Sequence, residues 1–267
     1  MFCESEKKLE SLANYIGKPN KTNCYLTYFQ LKQMLEMDDI RIEFGQKCTY
    51  IFKEKHGYIE LFFFVNEMMD LLEARDFLMN ILPSNKKIVT SIISKDKKHE
   101  EHQQIIERLG FSLYKKYLRK KLQINDNSLK VSLNESVCLA EVKDIEVIQT
   151  LMNKTFDDIS DQIPSGEELE QMVSQKQVLK YMIMNCFAGF LINERQGKKS
   201  YLRMLCIEEK YRGSGIGKNL LWEYITSEYK NVDLFYLWVD EQNEKALELY
   251  AKQGYISDGV EQYIYIR

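Results

Sequence analysis

The chain has 267 residues, room for one large domain or two of ordinary size. With 45% hydrophobic and 29% charged residues it reads as globular rather than disordered, and no apolar run approaches the ~20 residues that span a bilayer. The net charge of −3 is unevenly spread: residues 1–122 hold 21 basic and 17 acidic side chains (+4), and residues 123–267 hold 16 and 23 (−7). So small a basic surplus, with no binding motif beside it, argues against a nucleic-acid partner, while the acidic half favours a cationic one.

The start, residues 1–6, is acidic and has no signal-peptide core. Six scattered cysteines (Cys3, Cys24, Cys48, Cys138, Cys186, Cys206) form no Cys-x-x-Cys pair, which fits reduced thiols in a cytoplasm. Richness in Lys, Ile, Asn and Tyr points to an AT-rich bacterial genome. In chain order, the first strong element is Leu61-Phe62-Phe63-Phe64-Val65, an unbroken apolar run that reads as a buried strand. Another strand falls around Ile92-Ile93, and a helix runs through Ile105-Ile106 towards Gly110-Phe111. His99 and His102 lie on one side of that helix. Lys97, Lys98, Glu100 and Glu101 mark an exposed helix start and no third ligand is visible, so both read as surface histidines and no metal is expected. Lys115, Lys116, Arg119, Lys120 and Lys121 read as a solvated face. Polar turn-formers from Gln123 to Ser128 mark an inter-domain linker, placed at residues 123–133.

Residues 135–142 read as a strand, and Asp144 starts a helix carrying Ile145, Val147, Ile148, Leu151, Met152 and Phe156. An acidic loop, residues 157–164, leads to Ser165-x-x-Glu168, a capping box that opens the next helix. Residues 178–184 and 187–192 read as an antiparallel strand pair, and residues 201–207 as a further strand. Then comes Tyr211-Arg212-Gly213-Ser214-Gly215-Ile216-Gly217-Lys218, followed by Leu220, Leu221, Tyr224 and Ile225 at helical spacing. Three glycines in five residues let the backbone turn tightly and approach a ligand closely. The free N–H groups of the new helix face that space with the positive dipole end behind them, so the turn suits a phosphate. Residues 234–239 are another strand, and Asn243 opens a helix on which Ala246, Leu249 and Tyr250 share a face, with Gly254 at its end.

The turn is not a Walker A loop, since Asn219 follows Lys218. Nor is it a dinucleotide fingerprint, since the glycines run Gly213-x-Gly215-x-Gly217 with no acidic-ended strand about 20 residues on. Arg212-x-x-Gly215-x-Gly217 resembles the coenzyme A pyrophosphate loop, Arg/Gln-x-x-Gly-x-Gly/Ala, of the GNAT superfamily of N-acetyltransferases. Asn243-x-x-Ala246-x-x-x-Tyr250-x-x-x-Gly254-Tyr255 looks like the last helix of that fold. The resemblance covers residues 134–267. It implies an α/β fold with a strongly twisted mixed sheet flanked by helices, and acetyl-CoA as co-substrate without a metal.

Laid over the second half at an offset of 144, the first half aligns without gaps: Gly110-Phe111 on Gly254-Tyr255, Ile92-Ile93 on Tyr236-Leu237, Leu61 on Leu205 and Phe77-Leu78 on Leu221-Trp222. Residues 1–122 thus look like a second, degenerate GNAT-like domain in tandem with residues 134–267. Met68, Leu71 and Glu73 stand where Arg212, Gly215 and Gly217 should be, so this copy should bind no coenzyme. Shaping the acceptor cleft, packing, or a subunit contact that would make a homodimer are its open roles.

The resemblance also implies roles for residues. In such enzymes the central strand parts from its neighbour, which would free N–H groups at Leu205, Cys206 and Ile207 for the thioester and pantetheine arm. Arg212 and the N–H groups of Gly213, Ser214, Gly215, Ile216, Gly217 and Lys218 would hold the pyrophosphate. Asn243 would bond the pantetheine arm, and Tyr250 would protonate the departing thiolate, a core aromatic being its other reading. The acidic loop lies where relatives receive their acceptor, so Asp157 and Asp158 are candidate acceptor ligands, or members of an ordinary solvated loop. The central strand offers Arg203, Met204 and Cys206 where many relatives have a glutamate. The general base is left open among Glu194, Glu208, Asp157, Asp158 and a water chain. With no histidine in the second half, Cys206 lacks an activator and is not a nucleophile. The expected activity is acetyl transfer from acetyl-CoA to a cationic primary amine, with no membrane partner. A peptide or protein acceptor, and a silent acyl-CoA-binding protein, are the alternatives.

Overall fold

The computed structural model describes residues 21–55, 57–95, 99–124 and 135–267, with residues 8 and 11. They fall into two units, Met1–Lys116 with Val260–Arg267, and Tyr117–Gly259. In the first unit, β1 (Lys21–Thr22) precedes α1 (Tyr28–Glu36), which Thr27 and Gln30 open with a reciprocal capping box. β2 (Ile40–Phe44), β3 (Cys48–Lys55) and β4 (Tyr58–Val65) form an antiparallel run. The apolar run foreseen at residues 61–65 is indeed buried on both sheet faces. Two short helices follow, α2 (Asp70–Glu73) and α3 (Arg75–Ile81), then β5 (Lys87–Ser94), parallel to β4, and α4 (His99–Arg108).

The second unit opens with the later part of β6 (Ser112–Gln123), followed by β7 (Val137–Leu139), α5 (Ile145–Thr155) and α6 (Gly166–Ser174). β8 (Val178–Ile183), β9 (Cys186–Gln196) and β10 (Lys199–Ile207) run antiparallel in succession. α7 (Ile216–Glu228) then leads to β11 (Leu234–Asp240), parallel to β10, and α8 (Glu244–Lys252) leads to β12 (Ile256–Ile266). Helices α7 and α8 pack Leu220, Leu221, Tyr224 and Tyr250 on Leu202, Phe235, Leu237 and Val239. Helices α5 and α6 pack Ile148, Met152, Leu169 and Met172 on the other face, against Phe190, Ile192, Met204 and Cys206.

The expected division at residue 122 is not where the units divide. β6 continues through 122 and lies antiparallel on β11, from Tyr117↔Asp240 to Gln123↔Leu234. The strand that completes β5 is instead the end of β12, from Glu261↔Ser94 to Ile266↔Val89. Tyr263 and Tyr265 thereby enter the core of the first unit beside Ile88, Ile92 and Phe111. Each copy's last strand thus sits in the other copy's unit. Most of the expected linker, residues 125–133, lies outside the described residues.

The two halves do repeat the order of three antiparallel strands, helix, parallel strand, helix and final strand, but not at one gapless offset. Four residues, 66–69, join β4 to α2, whereas eight, 208–215, join β10 to α7. The connection that differs most in length is the glycine turn. His99 also departs from its surface reading: its ring stacks on Tyr263 at 3.7 Å, and Nε2 is buried without a hydrogen-bond partner among the described residues. Among the described residues no helix is long and apolar enough to cross a membrane, and no side-chain group suits a metal ion.

Removing residues 260–267 should leave β5 with a bare edge and strip two tyrosines from the first core. The expected outcome is loss of amide protection at Ile88–Ile92, read by hydrogen exchange, with Leu202 and Phe235 still protected.

Candidate functional site

The site is organised by a parting of strands. β10 pairs with β11 only from Lys199↔Leu234 to Leu202↔Leu237, although both strands run on, to Ile207 and Asp240. β9 stays paired with β10 throughout, with a bulge at Arg203. Glu208 N–H donates to Ala188 O at 2.9 Å. Amide direction alternates along a strand, so Cys206 N–H also faces β9, while those of Leu205 and Ile207 face the gap. Of the three expected backbone donors, Cys206 is therefore turned away. Its side chain lies in the core on the α5 side, with Sγ 3.4 Å from Thr155 Oγ1, and burial pushes its thiol pKa up. Close approach of β9 depends on Gly189, where a Cβ would stand 2.6 Å from Cys206 O.

At the end of β10 the chain makes a short 3-10 turn and the glycine turn. Gly213 and Gly215 hold φ of +82° and +85°, a region that disfavours side chains. The first bond of α7 is Asn219 N–H to Gly215 O, so the N–H groups of Ile216, Gly217 and Lys218 precede the hydrogen-bonded ladder. A Cβ at Gly213 or Gly215 would meet nothing within 4 Å, so open space lies over the turn. Arg212 is exposed and donates from Nε to Ile207 O at 3.1 Å, while Ser214 Oγ donates to Tyr211 O. This cradle fits a diphosphate.

Asn243 caps α8: its Oδ1 accepts from Ala246 N–H at 3.1 Å, which engages the carbonyl and leaves its amide N–H₂ to face a ligand. Tyr250, only 7% exposed, packs with Leu237 and Val239, and its ring lies 5.8 Å from that of Tyr255. Its phenol pKa is raised, chiefly by burial and then by the nearby Tyr201 phenol. Among the described residues the Tyr250 hydroxyl has no hydrogen-bond partner.

The acidic loop is largely occupied with itself. Asp157 Oδ1 accepts from Ile159 N–H, Ser160 N–H and Ser160 Oγ, all at 3.0 Å or less. Asp161 accepts from Asp157 N–H and from Tyr117 O–H. Asp158 alone of the three is exposed. The foreseen capping box is half made: Ser165 accepts from Glu168 N–H, but the Glu168 carboxylate goes to Arg203 at 2.6 Å. Arg203 also pairs with Glu194 at 2.8 Å and donates to Gln162 O. These residues border a 290 Å³ cleft lined by Gln171, Gln177 and Glu194 among others. From sequence, Glu168 reads only as a capping partner and Arg203 only as a departure from the glutamate of relatives; their pairing, at the bulge on β10, has no local signature. Of the other base candidates, Glu208 pairs with Lys210.

In the first unit the equivalent gap is filled from within. β4 and β5 part after Glu60↔Val89, and β1 pairs there with Val65 and Phe64. Asn23 accepts from Phe63 N–H at 2.8 Å and donates to Leu61 O and Thr90 Oγ1. A side-chain amide thus occupies the parted edge of β4. The start of α2 carries Asp70 and Glu73 rather than glycines, and Leu71 is buried.

A family signature described as an acetyltransferase (GNAT) domain matches residues 138–264. Among solved structures, a GCN5-related N-acetyltransferase from Sphaerobacter thermophilus superposes with a TM-score of 0.61 at 13% identity, over 98% of this chain and 92% of that one. A tandem GNAT protein from the clavulanic acid biosynthesis pathway reaches 0.61 at 8% identity, over 99% and 95%. A GCN5-related N-acetyltransferase from Kribbella flavida reaches 0.58 at 8%, over 86% and 90%. These similarities are of fold. No curated protein matches the chain.

Because Asp157 holds three donors of its own loop, Asp157→Ala should destabilise the fold by about 1–3 kcal/mol. Urea denaturation measures this, and coenzyme A affinity should stay unchanged.

Proposed function

We propose that the protein, whose residues 138–264 match a GNAT acetyltransferase signature, transfers the acetyl group of acetyl-CoA to a primary amine by direct attack. The observation that carries this reading is the parting of β10 from β11 next to the glycine turn. Acetyl-CoA supplies the activated acetyl group as a thioester. The N–H groups of Leu205 and Ile207, held rigid by β9, would polarise its carbonyl; fixed donors of this kind are worth ~3 kcal/mol each. The glycine turn and Arg212 would hold the diphosphate, and the Asn243 amide the arm. Asn23 in the first unit supports this role, since it shows an amide bonded to the parted edge of a like strand.

The amine nitrogen forms the new C–N bond as the C–S bond breaks. Tyr250 would give its proton to the sulfur and recover one from solvent, and the nitrogen would release its own proton to solvent or to Glu194. A phenol raised by burial stays protonated through the neutral range, the state required of an acid. The acceptor arrives as an ammonium ion and reacts after losing a proton. The five described cysteines carry free thiols, which supports a reducing, cytoplasmic setting.

Calorimetry should find one coenzyme A per chain, and Gly215→Val should abolish binding, because a β-branched residue resists a φ of +85° and its methyls would enter the cradle. Two sites, or unchanged binding in the variant, would refute the assignment. Tyr250→Phe should keep coenzyme binding and lower kcat by ~10²-fold. In the wild-type enzyme kcat should not decline before the ordinary phenol pKa of about 10. If coenzyme A binds but no thiol is released with any amine, the protein is an acyl-CoA-binding module instead.

A further inference from the structure

The sheet face opposite α7 and α8 carries aromatic side chains that belong to neither core of the second unit. Tyr201 on β10 and Tyr236 on β11 are direct strand partners, and their rings stack at 5.2 Å with 16° between planes. Trp238 is two residues on, where the strands have parted, and points the same way. All three are half-buried. They are absent from the cluster under α7 and α8 and from the one under α5 and α6. Among the described residues neither tyrosine hydroxyl has a hydrogen-bond partner. Tyr201 and Tyr236 are the next-to-last pair before β10 and β11 part, so this face borders the gap where transfer would occur.

The charges around this floor are already matched. Arg203 holds both Glu194 and Glu168. Arg119, whose guanidinium lies 5.8 Å from the Trp238 ring, holds Asp258 at 2.7 Å. Asp161 is bonded to Tyr117 and Asp157, and Asp157 to Ile159 and Ser160. These five carboxylates are therefore engaged rather than gathered into an unpaired acidic patch. A polyamine would need several unengaged carboxylates, each facing one ammonium. A single ammonium needs only phenol oxygens and ring faces, which attract cations, while the rings and the indole favour a flat apolar body.

We propose that Tyr201, Tyr236 and Trp238 seat the acceptor, and that the acceptor is a monoamine with an aromatic or flat apolar body, an aralkylamine rather than a polyamine. This rests on the acetyltransferase reading above and narrows its substrate class. The phenol oxygens accept from the amine N–H groups and turn the nitrogen towards the gap, while Trp238 covers the body.

The test uses the full chain with acetyl-CoA and three probes: 2-phenylethylamine, n-butylamine and spermidine. The kcat/KM for 2-phenylethylamine should exceed that for spermidine by about tenfold or more, as one stacked ring is worth. Trp238→Ala should raise the KM for 2-phenylethylamine by about tenfold, change that for n-butylamine little, and leave the KM for acetyl-CoA unchanged. Tyr236→Phe, which keeps the ring, should raise KM for both monoamines. Preference for spermidine, or variants that leave amine KM unchanged, would overturn the proposal. If no probe is acetylated, the protein loaded with coenzyme A is titrated with 2-phenylethylamine by calorimetry. Binding that Trp238→Ala removes would sustain the aromatic seat and sink the transfer reading. No binding would overturn the seat and leave coenzyme recognition standing.

Discussion

A backbone amide that leaves a sheet must find another partner, and this chain resolves that constraint in two ways. Beyond Glu60 the freed edge of β4 is satisfied by Thr22 and Asn23 of the same chain. Beyond Leu202 the freed edge of β10 keeps the N–H groups of Leu205 and Ile207 directed into the gap. A strand edge left unsatisfied is costly unless water or a ligand completes it. The two halves thus differ in what occupies the gap as well as in the side chains beside it.

The glycine turn depends on the same geometry. Arg212 reaches back to Ile207 O, and Gly217 sits 3.4 Å, measured from its would-be Cβ, from Leu249 of the helix that carries Tyr250. Turn, parted strand and last helix therefore fix one another. Shortening the connection from eight residues to four, as between β4 and α2, leaves no length for a phosphate cradle.

Much of this was legible in the sequence, for physical reasons. Strands β10 and β11 and helices α7 and α8 announce themselves because their apolar spacing answers to a single core. The glycines announce themselves because a positive φ admits few other residues. What escaped depends on long-range choices with no local signature. Nothing in residues 112–123 or 256–266 says which neighbour each strand will join, since strand pairing is set by backbone groups that every residue carries. The acidic loop looked like a charged surface, yet Asp157 and Asp161 turn inwards to bond backbone and hydroxyl groups. Likewise Glu168 reads as a capping partner until a bulge on β10 offers it Arg203, a stronger one. Tyr201 and Tyr236 are ordinary strand residues until pairing sets their rings together.

The exchange of last strands has a consequence for synthesis. A chain emerges from the ribosome in order, and a domain usually condenses soon after its own residues are out. Here the first unit cannot finish its sheet until residues 260–266 have been made, after nearly all of the second unit. Until then β5 presents a bare edge and the places of Tyr263 and Tyr265 stand empty. The nascent first half therefore waits through some 140 residues of elongation with an unfinished sheet.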